Sequence, residues 1–406
     1  MMTHNPTSGQ APAPTLRGRL RTWSRRAAAG GLVLSMVGGV GYARIRPALG
    51  SVADGARLER MQQSPQWKVD RFENKQETVS DLFSGPPASE HQSPDDAIPT
   101  ERRTLSDYQS APESGLRVTW LGHSTMLVEI DGHRVLTDPI FSERASPVPF
   151  AGPKRWTAPP LPLEELPAVD AVVISHDHYD HLDYETVEEL RTLDTTWVVP
   201  LGVGAHLEYW GIEASRIVEL DWWEAHQLEG LTLTATPARH FSGRTTANPQ
   251  GAPTLWCGFA MTGPQHRVYY SGDTGLFDEL VDIGERLGPF DLTMMETGAY
   301  SQSARDIHLG PEQAVLAHKL VGGEVMLPVH WGLFDLNAHG WTAPIERALV
   351  AGEAAGVAVV SVRPGSMFEP EVMPTVDRWW PASVPWRTAE EEPIEATGVT
   401  VGEDRR

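Results

Sequence analysis

The sequence predicts an α/β fold in which two β-sheets are flanked by helices. Three observations predict it. Strand-like and helical runs alternate between residues 116 and 364, hairpin-forming runs come before that alternation, and apolar residues make up 40% of the 406-residue chain. Strands that alternate with helices are typical of sheets covered by helices, and a chain of this length can bury a sizeable core.

The predicted elements begin with a hairpin. Residues 117–122 and 125–130 are predicted strands, and Asp131-Gly132 leads to a third at 134–137, because Asp-Gly tolerates the positive φ angles of a tight turn. Further strands are predicted at residues 171–175, 196–200, 217–220, 231–237, 255–261, 267–271, 292–296, 325–328 and 357–362. Helices are predicted at residues 184–191, 203–210, 276–286, 311–320 and 344–353. We expect side chains that bind ligands to converge at the strand ends.

Composition divides the chain into four predicted regions: a basic and apolar targeting segment at 1–46, a linker and N-terminal extension at 47–114, the main domain at 115–365, and a C-terminal extension at 366–406. Residues 80–112 are polar and rich in proline and serine, and are predicted to lie as irregular chain over the core surface. Residues 387–406 are acidic and are predicted to be a solvated tail.

The N-terminal region is predicted to associate with a membrane. Residues 1–46 hold seven arginines and no acidic residue, and residues 27–43 form an uncharged, glycine-rich run. This pattern is typical of an export signal or a short anchor, and the flanking arginines would place the rest of the chain on the exported side. A basic tail on a cytoplasmic protein is the alternative.

Charge and cysteine content exclude several classes of function. Asp and Glu number 54 against 33 Lys and Arg, which gives a formal net charge of −21 and argues against broad nucleic-acid binding. The single cysteine, Cys257, excludes an intrachain disulfide framework and any zinc site built from several thiolates. Any metal ion must therefore be held by histidine and carboxylate.

A dense group of candidate ligands follows the apolar strand that ends near residue 174. Residues 175–183 contain three histidines and three aspartates. His176 and His178 are two residues apart and can point to the same side, whereas Asp180 and His181 would face a second position. Imidazole and carboxylate suit Zn²⁺, Fe or Mn. The group offers more ligands than one ion takes, so we expect two ions that share a carboxylate.

Three later residues extend this set. His240, Asp273 and His330 each follow a β-rich run. Together with the H-x-H-x-D-H signature at 176–181, they match in order the motifs of the metallo-β-lactamase superfamily, which this sequence resembles.

The sequence also resembles one particular family within this superfamily. It is the group of phospholipases D that hydrolyse N-acyl-phosphatidylethanolamine, with their bacterial relatives. The similar stretches are residues 120–125, 136–142, 152–155, 178–184, 272–275 and 330–332. The resemblance covers about residues 116–364 and leaves out the first hundred residues and the acidic end.

The resemblance implies an αββα sandwich with two zinc ions at one edge of the sheets. It implies that His176, His178 and His240 hold one ion, that Asp180, His181 and His330 hold the other, and that Asp273 bridges them. It implies that a hydroxide held between the ions hydrolyses N-acyl-phosphatidylethanolamine or a related glycerophospholipid. Asp180 would also orient the hydroxide, and His308 would contact the phosphate or donate a proton.

Three further residues are candidates for supporting or substrate-contacting roles. His123 follows Gly122 at a strand end, where it could support a metal ligand or make a structural hydrogen bond. Asp138 precedes Pro139 and could support a ligand or form part of a turn. Arg244 lies in the loop after His240, near the expected site.

Two other functions remain open. One is a metal-dependent lactonase, esterase or phosphodiesterase that acts on a soluble small molecule, because the polar stretch 247–253 does not resemble a membrane-docking segment. The other is a membrane-tethered binding or scaffold protein on the same fold. The expected partners are a phospholipid or small ester substrate and a membrane surface, without nucleic acid, and self-association is left open.

Overall fold

The computed structural model describes Met1 and residues 45–80, 89–244, 253–372 and 376–401. The predicted targeting run at 27–43 lies outside these residues. Among the described residues, no helix has the length and apolar character needed to span a bilayer. The contacts divide the chain into two units, with the boundary after Pro47. All elements and contacts below lie within the second unit.

Two seven-stranded sheets and a short ribbon contain the strands of this unit. The strands are β1 (Trp67–Lys68), β2 (Arg71–Phe72), β3 (Leu116–Trp120), β4 (Met126–Ile130), β5 (His133–Thr137), β6 (Ala171–Val173), β7 (Thr196–Pro200), β8 (Ile217–Leu220), β9 (Ala225–Leu228), β10 (Leu231–Thr236), β11 (Gly258–Thr262), β12 (Arg267–Tyr270), β13 (Phe290–Glu296), β14 (Gly323–Val329), β15 (Ala358–Val359) and β16 (Met367–Phe368). The helices are α1 (Gly55–Gln63), α2 (Tyr184–Leu190), α3 (Gly204–Tyr209), α4 (Leu280–Leu287), α5 (Pro311–Val321) and α6 (Ala343–Ala355).

The two large sheets repeat one topology. The first has the order β16-β3-β4-β5-β6-β7-β8, and the second has the order β9-β10-β11-β12-β13-β14-β15. In the first sheet, β16, β3, β4 and β5 pair antiparallel, and β5 to β8 pair parallel. In the second sheet, β9 to β12 pair antiparallel and β12 to β15 pair parallel. Parallel pairing needs crossover connections. Helices α2 to α6 provide five of the six, and the loop of residues 138–170 connects β5 to β6.

Three apolar clusters define the layers. The largest contains inward-facing side chains of both sheets, such as Val128 and Val173 from the first and Leu233 and Met294 from the second. A second cluster joins the outer face of the first sheet to α2 and α3, and a third joins the outer face of the second sheet to α4, α5 and α6. Alternate residues of a strand face opposite sides, so Val172 packs in the second cluster and Val173 in the first. The predicted αββα sandwich is confirmed.

Several strands and helices begin or end at other residues than the sequence predicted. The strand predicted at 255–261 begins at Gly258, and the one predicted at 357–362 pairs only over Ala358–Val359. The helix predicted at 276–286 begins at Leu280. Strand β9 and helix α1 were not predicted.

The two chain extensions lie against the body of this unit. The backbone N–H of Glu101 donates to the carbonyl of Pro364 at 2.8 Å, and that of Arg103 donates to Pro160 at 2.8 Å, as expected for chain that covers the core surface. The expectation of a solvated acidic tail holds for the exposed Glu390 and Glu391 and is wrong for residues 394–401. Ala396, Val399 and Val401 pack against the third apolar cluster, because apolar residues alternate with the polar ones in this segment.

Candidate metal centre

The candidate ligands meet at one edge of the two sheets. The loop of residues 175–183 follows β6 of the first sheet, whereas His240, Asp273 and His330 follow β10, β12 and β14 of the second. Neighbouring parallel strands end at the same edge, and the common apolar core holds the two sheets face to face. Residues separated by up to 154 positions in the sequence are thereby brought within a few ångströms of each other.

His176, His178 and His240 form the first group. His176 Nε2 lies 2.9 Å from His178 Nδ1, and His240 Nε2 lies 3.3 Å from the same His178 atom. His240 Nδ1 donates to the carbonyl oxygen of Ile307 at 2.7 Å, which leaves Nε2 as the unprotonated, ligating nitrogen. These three nitrogen atoms can hold one cation.

Asp180, His181 and His330 form the second group. Asp180 Oδ2 lies 3.3 Å from His181 Nε2 and 3.3 Å from His330 Nε2. His123 Nε2 lies 3.1 Å from the same oxygen, so His123 supports the carboxylate from outside the group.

Asp273 lies between the two groups. Its Oδ2 is 3.2 Å from His181 Nε2 and 3.1 Å from His330 Nε2 on one side. On the other side it is 3.7 Å from His240 Nε2 and 3.8 Å from His176 Nε2. A single carboxylate thus faces two sets of histidines, the arrangement that a bridging ligand requires.

Several buried atoms of the centre fit a metal ion better than a hydrogen-bond network. His181 Nε2, both ring nitrogens of His330 and Asp273 Oδ1 make no hydrogen bond within the described residues, although carboxylate oxygens lie as close as 3.1 Å. Buried polar atoms in native proteins are almost always paired, and a cation that accepts lone pairs from all of them would satisfy these. The residues present therefore fit the metal that the sequence predicts.

Electrostatics in the centre also favour a cation. Burial lowers the pKa of His330, but Asp273 and Asp180 outweigh burial and raise it to about 10. The same two carboxylates, against burial, hold the pKa of His181 well above its usual value. Burial lowers the pKa of His123 to about 3. The two carboxylates thus favour positive charge at His181 and His330, and a metal ion would supply that charge.

Asp138 supports His181 from behind. It accepts hydrogen bonds from the Ser175 backbone N–H at 2.7 Å, from Ser175 Oγ at 2.5 Å and from His181 Nδ1 at 2.7 Å, and Tyr270 OH also contacts it. His181 Nε2 is left to face Asp273. His123, Asp138 and His330 have positive φ angles of 53°, 33° and 65°. Such backbone costs of order 1–3 kcal/mol per residue and is concentrated at functional sites.

Arg244 lies behind the histidine loop. Its Nη1 donates to the carbonyls of Asp177 and Leu182 at 2.7 Å each, and its guanidinium lies over the Tyr179 ring at 4.2 Å. These contacts place it in a supporting position, and they do not bring it to the position of a substrate contact. Asp177, which the sequence analysis did not single out, accepts the Gly243 N–H at 2.7 Å and so joins the same loop to the one after His240.

His308 lies at the more open side of the centre. Its ring is 5.0 Å from that of His240 and 5.5 Å from that of His330, and its side chain is 13% exposed. Burial lowers the pKa of His308 to about 4. The structure therefore places it beside both groups, as expected for a residue that contacts the substrate.

Glu296 is a site residue that the sequence analysis missed. It is fully buried, its Oε1 contacts His308 Nδ1, and its Oε2 accepts the Thr274 N–H at 2.6 Å. Burial, with the charge of Asp273, raises the pKa of this carboxyl well above its usual value. A signal was available, since Glu296 is the last residue of a predicted strand and strand ends carry the other candidate ligands.

Known proteins are similar to this chain over the same region. Residues 133–331 match the family described as "Beta-lactamase superfamily domain". An uncharacterized protein of Mycobacterium tuberculosis is 50% identical over 271 residues, which cover 66% of this chain and 72% of that protein. The N-acyl-phosphatidylethanolamine-hydrolyzing phospholipase D 1 of Caenorhabditis elegans is 40% identical over 255 residues, covering 60% and 70%. A metal-dependent hydrolase of Methanopyrus kandleri is 31% identical over 260 residues, covering 63% and 100%.

The αββα sandwich and the cluster of histidines and aspartates at its edge define a metal-dependent hydrolase of the metallo-β-lactamase fold. The chain belongs to this β-lactamase superfamily, and its homologues there include N-acyl-phosphatidylethanolamine-hydrolysing phospholipases D.

Proposed function

We propose that this protein is a dinuclear zinc phosphodiesterase of phospholipase D type. Its substrate would be N-acyl-phosphatidylethanolamine or a related glycerophospholipid, and the products would be phosphatidate and N-acylethanolamine. The observation that carries the proposal is Asp273 Oδ2, which lies within 3.8 Å of histidine nitrogens on both sides. The 40% identity to the phospholipase D of Caenorhabditis elegans supports the substrate class.

Seven residues would hold the two ions. His176, His178 and His240 would bind one, Asp180, His181 and His330 the other, and Asp273 both. Their nitrogen and carboxylate donors suit Zn²⁺, and iron or manganese would accept the same set. Two bound ions would lower the pKa of a shared water and polarise the phosphoryl oxygens.

The protein's own groups would orient the water and handle the leaving group. Asp180 is 16% exposed, and His123 fixes its Oδ2, so this carboxylate can accept a hydrogen bond from the attacking water. Because its pKa is raised, Glu296 can donate its own proton to His308 Nδ1, so the neutral His308 ring carries its proton at Nε2. In the reaction a bond forms from phosphorus to the water oxygen, and the proton of the water leaves to solvent through its hydrogen bond to Asp180. The bond from phosphorus to the head-group oxygen breaks, and His308 Nε2 protonates the departing oxygen while the Glu296 proton passes to His308 Nδ1.

The open side of the centre suits a lipid head group. His178, Asp180 and His308 are the partly exposed members of the site, and the Phe241 ring lies 4.5 Å from the His178 ring as an apolar wall. The N-terminal segment, which lies outside the described residues, would bring the protein to its membrane substrate.

Metal analysis and product detection on the full chain test the proposal. We expect about two zinc ions per chain and release of phosphatidate and N-acylethanolamine from N-acyl-phosphatidylethanolamine in mixed micelles. His240→Ala, at equal protein concentration, should bind fewer ions and release no product. Two ions without lipid turnover, together with hydrolysis of a soluble ester or lactone, would contradict the substrate. Fewer than two ions would contradict the dinuclear centre.

A further inference from the structure

A buried ion pair connects the two loops that carry His240 and His308. Arg239 Nη2 lies 3.3 Å from Asp306 Oδ2, and the two side chains are 1% and 0% exposed. Arg239 precedes His240 directly, and Asp306 is two residues before His308. The ion pair takes no part in the proposed chemistry. Burial of two charges is costly unless both are fully hydrogen-bonded, so the groups that make hydrogen bonds to Arg239 and Asp306 indicate the role of the pair.

Both chain extensions supply those hydrogen bonds. We call residues 74–79 and 394–401 the clamp segments; both lie outside the matched region 133–331. Asp306 Oδ1 accepts the Thr397 N–H at 2.7 Å, and Asp306 Oδ2 accepts the Val79 N–H at 2.9 Å. Arg239 Nη2 donates to the Thr397 carbonyl at 3.0 Å and contacts the Glu77 carbonyl as well. Both the guanidinium and the carboxylate therefore make hydrogen bonds with backbone groups of both clamp segments.

The clamp segments also contact each other and the body of the protein. Gln76 Nε2 donates to the Gly398 carbonyl at 3.0 Å, and Gln76 Oε1 accepts the Asp278 N–H at 3.0 Å. Thr400 Oγ1 donates to Asp278 Oδ2 at 2.7 Å. The two clamp segments are thus joined to each other and to Asp278 by hydrogen bonds.

One clamp residue holds a candidate ligand directly. Asn74 Nδ2 donates to the His240 carbonyl at 2.8 Å, and Asn74 Oδ1 accepts the His240 N–H at 3.1 Å. The His240 ring is fixed on its other side by the Ile307 carbonyl, whose residue follows Asp306. Backbone and ring of His240 are therefore both set by groups attached to the clamp and the ion pair.

We infer that the clamp segments, acting through Asn74 and the Arg239–Asp306 pair, position His240 and the His308 loop for metal binding. The inference rests on the proposed dinuclear site. Groups that orient a metal ligand from behind typically change metal affinity by about 10–100-fold when they are removed. Asn74 and Asp306 are positioning residues, since neither touches the candidate metal positions.

Zinc titration of the metal-free full chain, in competition with a coloured chelator, tests the inference. We expect Asn74→Ala and Asp306→Asn each to weaken one of the two bound equivalents by about tenfold or more, leaving the other nearly unchanged. Asn74→Asp keeps the acceptor for the His240 N–H but sets a carboxylate oxygen against its carbonyl oxygen, so it should weaken the same equivalent. Cobalt loading gives a second readout, because a displaced His240 changes the visible spectrum of one ion.

Asp131→Asn is the matched control. Asp131 is also a buried carboxylate that accepts two backbone N–H groups, from Gln265 at 2.8 Å and His266 at 3.0 Å, but it lies at the other end of β5 from the metal edge. Unchanged zinc affinity and cobalt spectra in both Asn74 variants would overturn the inference, whether or not Asp306→Asn folds. An equal loss in Asp131→Asn would overturn it too. A wild-type chain that binds fewer than two ions would instead contradict the proposed function.

Discussion

Asp273 is the residue on which the proposed chemistry depends most. It is 2% exposed, and its Oδ2 lies near nitrogens of both histidine groups. Its charge also raises the pKa of His181 and of His330, and so favours the positive charge that a metal ion would supply.

Asp273→Asn should abolish hydrolysis while the fold persists. The amide keeps the shape but removes the charge and offers one weaker ligand oxygen, so we expect a loss on the order of 100-fold or more in kcat/KM, larger than typical supporting-residue effects. Rate assays with metal analysis measure it, and circular dichroism checks the fold. Asp291→Asn, whose carboxylate accepts the Arg267 N–H at 2.7 Å at the start of β13, serves as control. Full activity in Asp273→Asn would refute the bridging role.

Glu296 and His308 should behave as one unit. Glu296→Gln leaves His308 in place but removes the carboxyl proton that His308 Nδ1 can take up, so we expect kcat to fall by about 10²-fold with little change in KM. His308→Gln should cost a similar factor, and the double variant should cost little more than either single change, since both remove the same proton transfer. Steady-state kinetics on the four proteins decides the matter, and additive losses would contradict it.

Sequence motifs identified most of this centre at the residue scale. His176, His178, Asp180 and His181 are close in the chain, and His240, Asp273 and His330 follow predicted strands. Glu296 was missed because its position at a strand end, without a neighbouring motif, was a weak signal. Its importance comes from His308, twelve positions away, and from burial that only the packed sheet provides.

Helix α5 and strand β13 bury a histidine far from the proposed ligands. His318 Nδ1 lies 2.8 Å from Thr293 Oγ1, and Gly323 packs so closely that a side chain there would collide with the His318 ring. Burial lowers the pKa of His318 to about 4 from 6.5. The unfolded chain therefore binds more protons than the folded one between these values, so acid destabilises the fold in this window.

His318→Gln should reduce that acid sensitivity. Between pH 8 and pH 5 the wild-type protein should lose about 2 kcal/mol of unfolding free energy through His318 alone, and the variant should not lose this part. Urea unfolding of both metal-free proteins at several pH values measures it. Comparison of the two cancels the titration of the metal-site histidines. A difference between the two proteins that stays constant with pH would contradict the prediction.

Elements with clear apolar periodicity were predicted well from sequence, and those without it were not. The Asp131-Gly132 hairpin, the parallel strands and the helices that connect them lie near their predicted positions. Strand β9, Ala225–Leu228, has little apolar alternation and is a strand because β10 pairs with it. Helix α1 is strongly polar and has a single buried residue, Met61, whose side chain packs into the largest apolar cluster.

Metal removal should weaken the whole domain. The ligands come from both sheets, so bound ions link the two halves, and removing them leaves buried carboxylates balanced only by protons. At a free zinc concentration about 100 times Kd, each ion should add roughly 2.7 kcal/mol to the unfolding free energy. Thermal unfolding with and without a chelator, followed by zinc addition, measures the effect. Asp273→Asn should respond less, and identical midpoints with and without metal in the wild-type protein would contradict a resident ion.

The sequence by itself determined the αββα class, the order of most strands and helices, and the seven candidate ligands, because periodicity and short motifs are local properties. Only the tertiary structure decided the repeated topology of the two sheets, the Glu296–His308 contact, the supporting position of Arg244 and the packing of residues 394–401 over the body. The physical reason is that hydrogen-bond partners and burial join residues far apart in the chain. The acidic end illustrates this, since its backbone N–H groups bind Asp306 and Asp278, which composition could not indicate.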